Sequence, residues 1–128
     1  MSVLADKVET GIQFSGAHEV TAIQYAGGRL TINVNALDGT AAVTVTFSEI
    51  AGFRVLDEGD LLEFWEVCGK KDDWIFHVKQ GGWFDLEAQR TGFVRGDIKA
   101  IKEYLITGTD DCVSVLAWGA PEVSGYAV

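Results

Sequence analysis

Residues 29–35, RLTINVN, carry the plainest structural pattern in the chain. Apolar and polar residues alternate along this stretch, which is the period of a β-strand with one buried face and one face in water. The preceding residues 18–26 (HEVTAIQYA) end at Gly27 and Gly28, which can adopt the positive φ angles of a two-residue hairpin turn. The two segments are therefore predicted to pair as an antiparallel hairpin.

Further segments show the same period of two. Residues 41–47 (AAVTVTF) and 52–56 (GFRVL) are predicted strands, and so is the stretch 74–79 (WIFHVK), in which Trp74, Phe76 and Val78 would share one face. The doublet Gly81-Gly82 predicts a hairpin turn into a strand over WFDLEA. A closing hairpin is predicted for YLIT and CVSVLAW, which flank the turn sequence GTDD.

Two segments leave helix and strand open. Residues 61–67 (LLEFWEV) fit a helical turn with Asp60 as its cap and Glu63 completing a capping box, and they also fit a strand. Residues 97–105 (DIKAIKEYL) fit either a short helix capped by Asp97 or extended chain leading into YLIT.

Turn signals recur about every ten residues, a spacing typical of antiparallel sandwiches and barrels. We therefore expect one mostly β domain over residues 1–128, built as a partly open antiparallel barrel or a two-layer sandwich, with room for one short helix. Residues 119–128 contain Gly119, Pro121 and Gly125, which predict a loose or docked tail without regular structure.

The composition is that of a folded globular protein, with 48% hydrophobic and 23% charged residues among 128. A net charge of −9 disfavours direct binding of nucleic acid or anionic lipid, because no excess of Lys or Arg exists to displace phosphate counterions. The N-terminal residues hold no apolar run typical of a signal peptide, and no stretch approaches the roughly 18 apolar residues of a membrane span. A soluble cytoplasmic protein with reduced thiols is the expectation.

Chemistry-bearing residues are sparse and scattered. The candidate zinc ligands His18, Cys68, His77 and Cys112 stand singly, whereas zinc sites commonly use paired Cys or His. Cys112 follows two aspartates, whose charge disfavours a thiolate, and Cys68 fits a small core position. The acidic turns DEGD and GTDD lack the spaced series of an EF-hand loop. The sequence therefore predicts no catalytic residue, no metal site and no cofactor.

Aromatic residues are the strongest candidates for a binding surface, because tryptophan anchors interfaces as well as filling cores. Trp83 and Phe84 are adjacent and cannot both face the same side of a strand, so one of them should lie on an opposite face. Trp118 and Trp65 complete the predicted binding set.

Residues 104–123 (YLITGTDDCVSVLAWGAPEV) and 52–65 (GFRVLDEGDLLEFW) resemble segments of small uncharacterised bacterial proteins of β-rich fold. The resemblance implies a small bacterial domain of unknown function. Some proteins of that kind act as immunity proteins for secreted toxins.

These observations favour a noncatalytic binding or assembly module whose partner is another protein or a second copy of the chain. One alternative is an immunity-like inhibitor whose acidic surface meets a basic toxin, since charge complementarity speeds association. Another is a small-ligand carrier or enzyme built on a β-barrel, with a mouth lined by Trp and by acidic residues such as Glu63 and Glu66.

Overall fold

The computed structural model describes residues 2–69, 72–94 and 100–128. Nine strands lie within these ranges: β1 (Leu4–Lys7), β2 (His18–Ala26), β3 (Arg29–Ala36), β4 (Ala41–Phe47), β5 (Ile50–Asp57), β6 (Ile75–Gln80), β7 (Lys102–Ile106), β8 (Asp111–Ala117) and β9 (Glu122–Ala127). Two short helices accompany them, α1 (Trp65–Cys68) and α2 (Trp83–Ala88), with 3-10 turns at Glu58–Asp60 and Leu62–Phe64.

The strands form two antiparallel sheets. The five-stranded sheet has the order β1-β6-β7-β8-β5 and the four-stranded sheet the order β2-β3-β4-β9. Among the described residues the strands do not close into a barrel, and the arrangement is that of a two-layer sandwich. The predicted mostly β antiparallel fold is confirmed, and the sandwich is the form it takes.

The main core lies between the two sheets. Strands β3 and β4 supply alternate side chains such as Ile32 and Val45, both fully buried, and the facing sheet supplies Tyr104, Ile106 and Val113. Because successive strand residues point to opposite faces, this core uses only one face of each sheet.

A second apolar cluster covers the outer face of the five-stranded sheet. Leu105, which lies between Tyr104 and Ile106 in β7, turns away from the main core. It packs with Phe64 and Cys68 of the helical segment, which consists of the 3-10 turn Leu62–Phe64 and α1. The five-stranded sheet is therefore buried on both faces over this part of its surface, and β7 and β8 are buried at every position after their first residue.

The predicted first hairpin is present. Residues Gly27 and Gly28 form its turn with φ angles of 59° and 81°, a pair of positive values that glycine adopts without steric cost. Strand β4 follows as predicted and pairs with β3 without a register shift.

The segment 61–67 is helical from Leu62 onward, as the 3-10 turn Leu62–Phe64 followed by α1, which resolves the alternative left open by the sequence. The predicted capping box does not form, because neither the 3-10 turn Leu62–Phe64 nor α1 has a side-chain cap. Asp57 instead caps the preceding 3-10 turn Glu58–Asp60, where its carboxylate accepts a hydrogen bond from the Gly59 N–H at 2.7 Å.

The predicted strand over WFDLEA is wrong, since these residues form α2. A long-range contact overrides the local pattern: the carboxylate of Glu103 in β7 accepts hydrogen bonds from the backbone N–H groups of Trp83 and Phe84. A Cβ at Gly82 would come within 2.6 Å of that carboxylate, so a larger residue there would displace Glu103 from the α2 N–H groups.

Two further predictions are corrected. Regular structure continues beyond residue 119, because residues 122–127 form β9 at the edge of the four-stranded sheet. Trp74 does not share a face with Phe76; it precedes β6, lies in the main core and donates its indole N–H to the Ile12 carbonyl. The helix proposed from residue 97 falls partly outside the described residues, and Lys102–Ile106 are a strand.

No helix in the described parts of the chain is long and apolar enough to cross a membrane.

Candidate functional site

The four predicted binding residues do not converge on one surface. Trp83 and Phe84 lie on α2, against the outer face of the five-stranded sheet, while Trp118 follows the end of β8. Trp65 begins α1 and faces a cleft at the other end of the same sheet. The four residues therefore lie in three separate environments.

The α2 environment uses its aromatic residues for intramolecular packing. The Arg54 guanidinium lies 5.2 Å from the centroid of the Trp83 ring, and Phe84 meets Phe93 edge to face at a centroid distance of 5.9 Å. The Trp83 indole N–H donates to the Glu87 carboxylate at 3.1 Å. These contacts fix α2 on the sheet and leave both aromatic residues half-buried.

Glu103 is the buried charge that holds this environment together. Only 2% of the residue is exposed, and its two carboxylate oxygens accept the N–H groups of Trp83 and Phe84 at 2.9 and 2.7 Å. Burial raises the pKa of this carboxyl, while the two N–H groups and Arg54 act in the opposite direction. Both oxygens are engaged within the fold, so the role of Glu103 is to position α2.

The Trp118 environment is a shallow hollow beside the turn between β4 and β5. Trp118 is 38% exposed, and Ser48 and Glu49 lie next to it. The backbone N–H of Trp118 donates to the Glu49 carbonyl at 3.2 Å. One carboxylate and one partly exposed ring make this a weak candidate for specific recognition.

The cleft beside Trp65 is larger, with a volume of about 430 Å³. It lies where β5 and β7 end and where β2, β6 and β8 begin, so turns from both sheets form its walls. We call it the acidic cleft, and the residues that define it are Trp65, His18, Thr107, Glu58, Asp72 and Asp73. Its volume falls in the range of small-ligand and side-chain pockets.

His18 forms part of the wall where the two sheets meet. Its Nε2 lies 3.2 Å from the Thr107 hydroxyl, and its ring stacks on Phe14 at a centroid distance of 4.6 Å. Burial lowers the pKa of His18, and this outweighs the nearby backbone groups of Gly16 and Thr107 that favour the charged ring. A neutral imidazole therefore joins β2 of one sheet to the end of β7 in the other.

Carboxylates crowd the same end of the sandwich. Asp57 and Asp111 are directly opposite each other in the last pair of the β5 and β8 ladder, a placement that is destabilising for like charges. Beside them, the Glu58 N–H donates to the Asp110 carbonyl at 2.7 Å. In the sequence, residues 57–73 hold seven carboxylates against two lysines, Lys70 and Lys71, which lie outside the described residues. This end of the molecule is therefore strongly acidic.

The indole of Trp65 adds an aromatic surface to this acidic end. Its N–H donates to the Glu58 carbonyl at 2.9 Å, which holds the half-buried ring at the cleft wall. An aromatic face beside carboxylates attracts a cationic group, because the ring quadrupole and the negative charges act in the same direction. The acidic cleft is thus suited to an ammonium or guanidinium group.

The two thiols near the cleft are poor nucleophiles. Burial raises the pKa of Cys68 to about 12. Burial also raises the pKa of Cys112 to about 11, and the negative charges of Glu58, Asp57 and Asp111 add to the effect. Both therefore carry their protons at neutral pH.

Sequence reasoning selected Trp65 and missed its surroundings. The turns DEGD (57–60) and GTDD (108–111) were both visible as acidic, yet they lie about 50 residues apart in the sequence and meet only because β5 and β8 are neighbours. His18 carried no local signal, since its partner Thr107 is 89 positions away. A correct strand order was the missing information.

The described ranges contain no group of three or more His, Cys, Asp or Glu residues placed to hold a metal ion. Comparisons of the chain with protein-family models, with curated proteins and with solved structures found no match.

Proposed function

We propose that this chain is a noncatalytic binding module whose acidic cleft receives a cationic side chain, lysine or arginine, of a basic partner protein. The observation that carries the proposal is the cleft itself, a concavity of about 430 Å³ that brings the Trp65 indole together with the carboxylates of Glu58, Asp72 and Asp73. The negative charges and the aromatic ring both attract a cationic group.

The like-charge pair in the β5 and β8 ladder supports this reading. Asp57 and Asp111 lie directly opposite each other in the ladder, where like charges are unfavourable, and a positive partner placed nearby would offset that cost. Surface charge that lowers the stability of the free protein is expected where binding offsets the cost. The acidic end also speeds diffusional encounter with a positive partner, and this effect weakens with salt.

The contacts of the titratable groups favour binding over catalysis. His18 is held neutral between Phe14 and Thr107, and both cysteines are protonated. General-base or nucleophilic chemistry needs a base within hydrogen-bond reach of an activated group, and these partners are structural. An inhibitor of a basic toxin is one protein that would fit this description.

The test uses simple cationic probes on the whole chain. We would titrate ¹⁵N-labelled protein with synthetic peptides containing spaced arginines or lysines and with a serine-substituted control peptide. Saturable shifts are expected at the Trp65 indole N–H and at the amides of Glu58 and Thr109. The indole signal of Trp118, at the opposite end of the sheet, should not move and serves as the internal control.

A matched pair of variants separates the cleft from general charge. Glu58→Gln removes one negative charge at the acidic cleft, and Glu49→Gln removes one beside Trp118. The first should weaken arginine-peptide binding by about fivefold, equivalent to about 1 kcal/mol, and the second by less than about twofold. Equal effects of the two substitutions, or shifts spread over the whole acidic surface, would mean that the cleft is not a site.

A further inference from the structure

The free edge of β9 differs from the other sheet edges of the described chain. Register shifts interrupt β2 and β5 at Val20/Ala22 and Ile50/Gly52, and β1 has four residues and an exposed ion pair from Asp6 to Lys79. Such bulges, short lengths and charges are the features that prevent an edge strand from pairing with another chain.

Strand β9 lacks a register shift, and it lacks charged residues beyond its first position. Its pairing with β4 runs from Thr46↔Glu122 to Ala41↔Ala127 without a shift. The strand contains no Lys, Arg or Pro, and Glu122 at its first position is its sole charge. In a chain of net charge −9, this edge is a nearly neutral strip that a second copy can approach.

The phase of the ladder shows which backbone groups are free. The Val128 N–H donates to the Thr40 carbonyl at 2.8 Å, and hydrogen-bonded pairs alternate along an antiparallel ladder. Even-numbered residues of β9 therefore bond to β4. Val123, Gly125 and Ala127 direct their N–H and C=O groups outward, away from the sheet.

We propose that two copies of the chain pair through β9, antiparallel and about a two-fold axis at Gly125, to make one continuous sheet from two four-stranded sheets. In this register Val123 of one copy bonds to Ala127 of the other, and Gly125 bonds to its own symmetry mate. Each such pair exchanges two main-chain hydrogen bonds.

The side chains suit this register. On the outer face, Ser124 lies opposite Tyr126 of the second copy, and Tyr126 is 57% exposed in the single chain. Glu122 falls at each end of the paired segment, so the two carboxylates are far apart. Gly125 has a φ of 147°, and a Cβ there would overlap the Ala42 carbonyl, so β9 has no side chain at the proposed axis.

The first experiment measures the sedimentation of the full chain from about 1 μM to about 1 mM, the range in which modest interfaces populate dimers. A concentration-dependent dimer is expected. Ala127→Pro removes an outward N–H while leaving the β4 bonds in place, and two copies carry the change. The dimer dissociation constant should therefore rise by about tenfold or more. A chain that stays monomeric throughout overturns the proposal, and so does a dimer that Ala127→Pro leaves unchanged.

A cross-linking experiment tests the register without weakening the fold. The double variant Ser124→Cys/Tyr126→Cys places thiols on directly opposite residues of the two copies, at a Cα separation of about 4.5 Å that a disulfide can span. The native Cys68 and Cys112 are buried and do not compete. The control Glu122→Cys/Ser124→Cys places no thiols opposite each other in this register.

Rapid covalent dimer formation by the first variant and slow formation by the control is the expected result. Equal cross-linking of both would show that the copies meet in another register or on another surface. Failure of both variants to cross-link at a concentration where the chain dimerises would also overturn the proposal. Neither result bears on the acidic cleft, which meets the four-stranded sheet at β2, the edge opposite β9.

Discussion

The two sheets of the sandwich differ in what covers their outer faces. The helical segment and α2 cover the five-stranded sheet, and β8 consequently has six consecutive buried residues from Cys112 to Ala117. The four-stranded sheet has no such cover among the described residues, and its strands β3 and β4 alternate strictly between buried and half-buried positions.

The residue pattern of a strand depends on whether one or both of its faces are covered. Alternation in β3 leaves threonine and asparagine on the outer face, whereas β7 and β8 are buried on both faces. Glu103 breaks the apolar run of β7 and is compatible with burial because it binds the N–H groups of α2. Removing that contact should therefore show how much α2 contributes to the stability of the fold.

The largest effect is expected for Glu103→Ala. The substitution leaves the N–H groups of Trp83 and Phe84 without their acceptor and removes a negative charge near Arg54. Unfolding free energy from urea denaturation should fall by about 2–4 kcal/mol, since bonds to charged acceptors and unsatisfied buried donors each account for about 1–3 kcal/mol. Hydrogen exchange of the Trp83 and Phe84 amides should accelerate more than that of β3 amides. A loss below about 0.5 kcal/mol would show that α2 is held by apolar packing alone.

The next effect is a pH dependence at the junction of the two sheets. Because burial lowers the pKa of His18 from 6.5, the unfolded chain binds this proton more readily than the folded one. Its contribution to stability is complete above pH 6.5 and is lost as the pH falls towards the folded-state pKa, by at most about 1.4 kcal/mol per pH unit.

Urea denaturation of the wild type and of His18→Gln between pH 7.5 and 5.5 measures this contribution. The wild-type stability should fall more steeply with decreasing pH than that of the variant. His77, whose pKa burial and the neighbouring lysines also lower, remains in both proteins and cancels from the difference. Parallel curves for the two proteins would contradict a neutral, buried His18.

The parts of the fold that sequence predicted are those decided by local contacts. The first hairpin depends on alternation and on Gly27-Gly28, both of which lie within one stretch of 18 residues. Helix α2 depends on Glu103, which is about 20 positions away from the residues that it caps. Local propensity favoured a strand at Trp83 and Phe84, and the tertiary contact decided otherwise.

The same distinction applies to the candidate site. The sequence identified Trp65 as an aromatic of interest because residue type alone suggested it. It could not place Trp65 beside Asp72 and Asp73 or bring Asp57 opposite Asp111, because those placements follow from strand order and register. Antiparallel order among five strands has many arrangements that the same alternating pattern satisfies.

A smaller effect of opposite sign is expected for Asp111→Asn at the acidic end. Removing one member of the opposed Asp57 and Asp111 pair should raise the unfolding free energy by about 0.2–1 kcal/mol. Asp57 is the poorer choice for substitution because its carboxylate also caps Gly59. The same variant should bind the arginine peptide more weakly, so stability and binding should change in opposite directions. A destabilised Asp111→Asn protein would mean that the repulsion is already relieved in the free chain.

The smallest effect is expected on the uncovered face of the four-stranded sheet. Thr44 donates its hydroxyl to the Asn33 side chain at 3.2 Å, and both residues are half-buried on that face. Thr44→Val keeps the β-branched shape and removes only this hydrogen bond, so the unfolding free energy in dilute solution should change by no more than about 0.5 kcal/mol. A change that stays this small from low to high protein concentration would confirm that the outer face of the four-stranded sheet is uncovered. A loss of stability that appears only at high concentration would instead mean that a second copy covers this face, because only a covered hydroxyl is costly to remove. Such a contact would add to pairing along β9 or replace it.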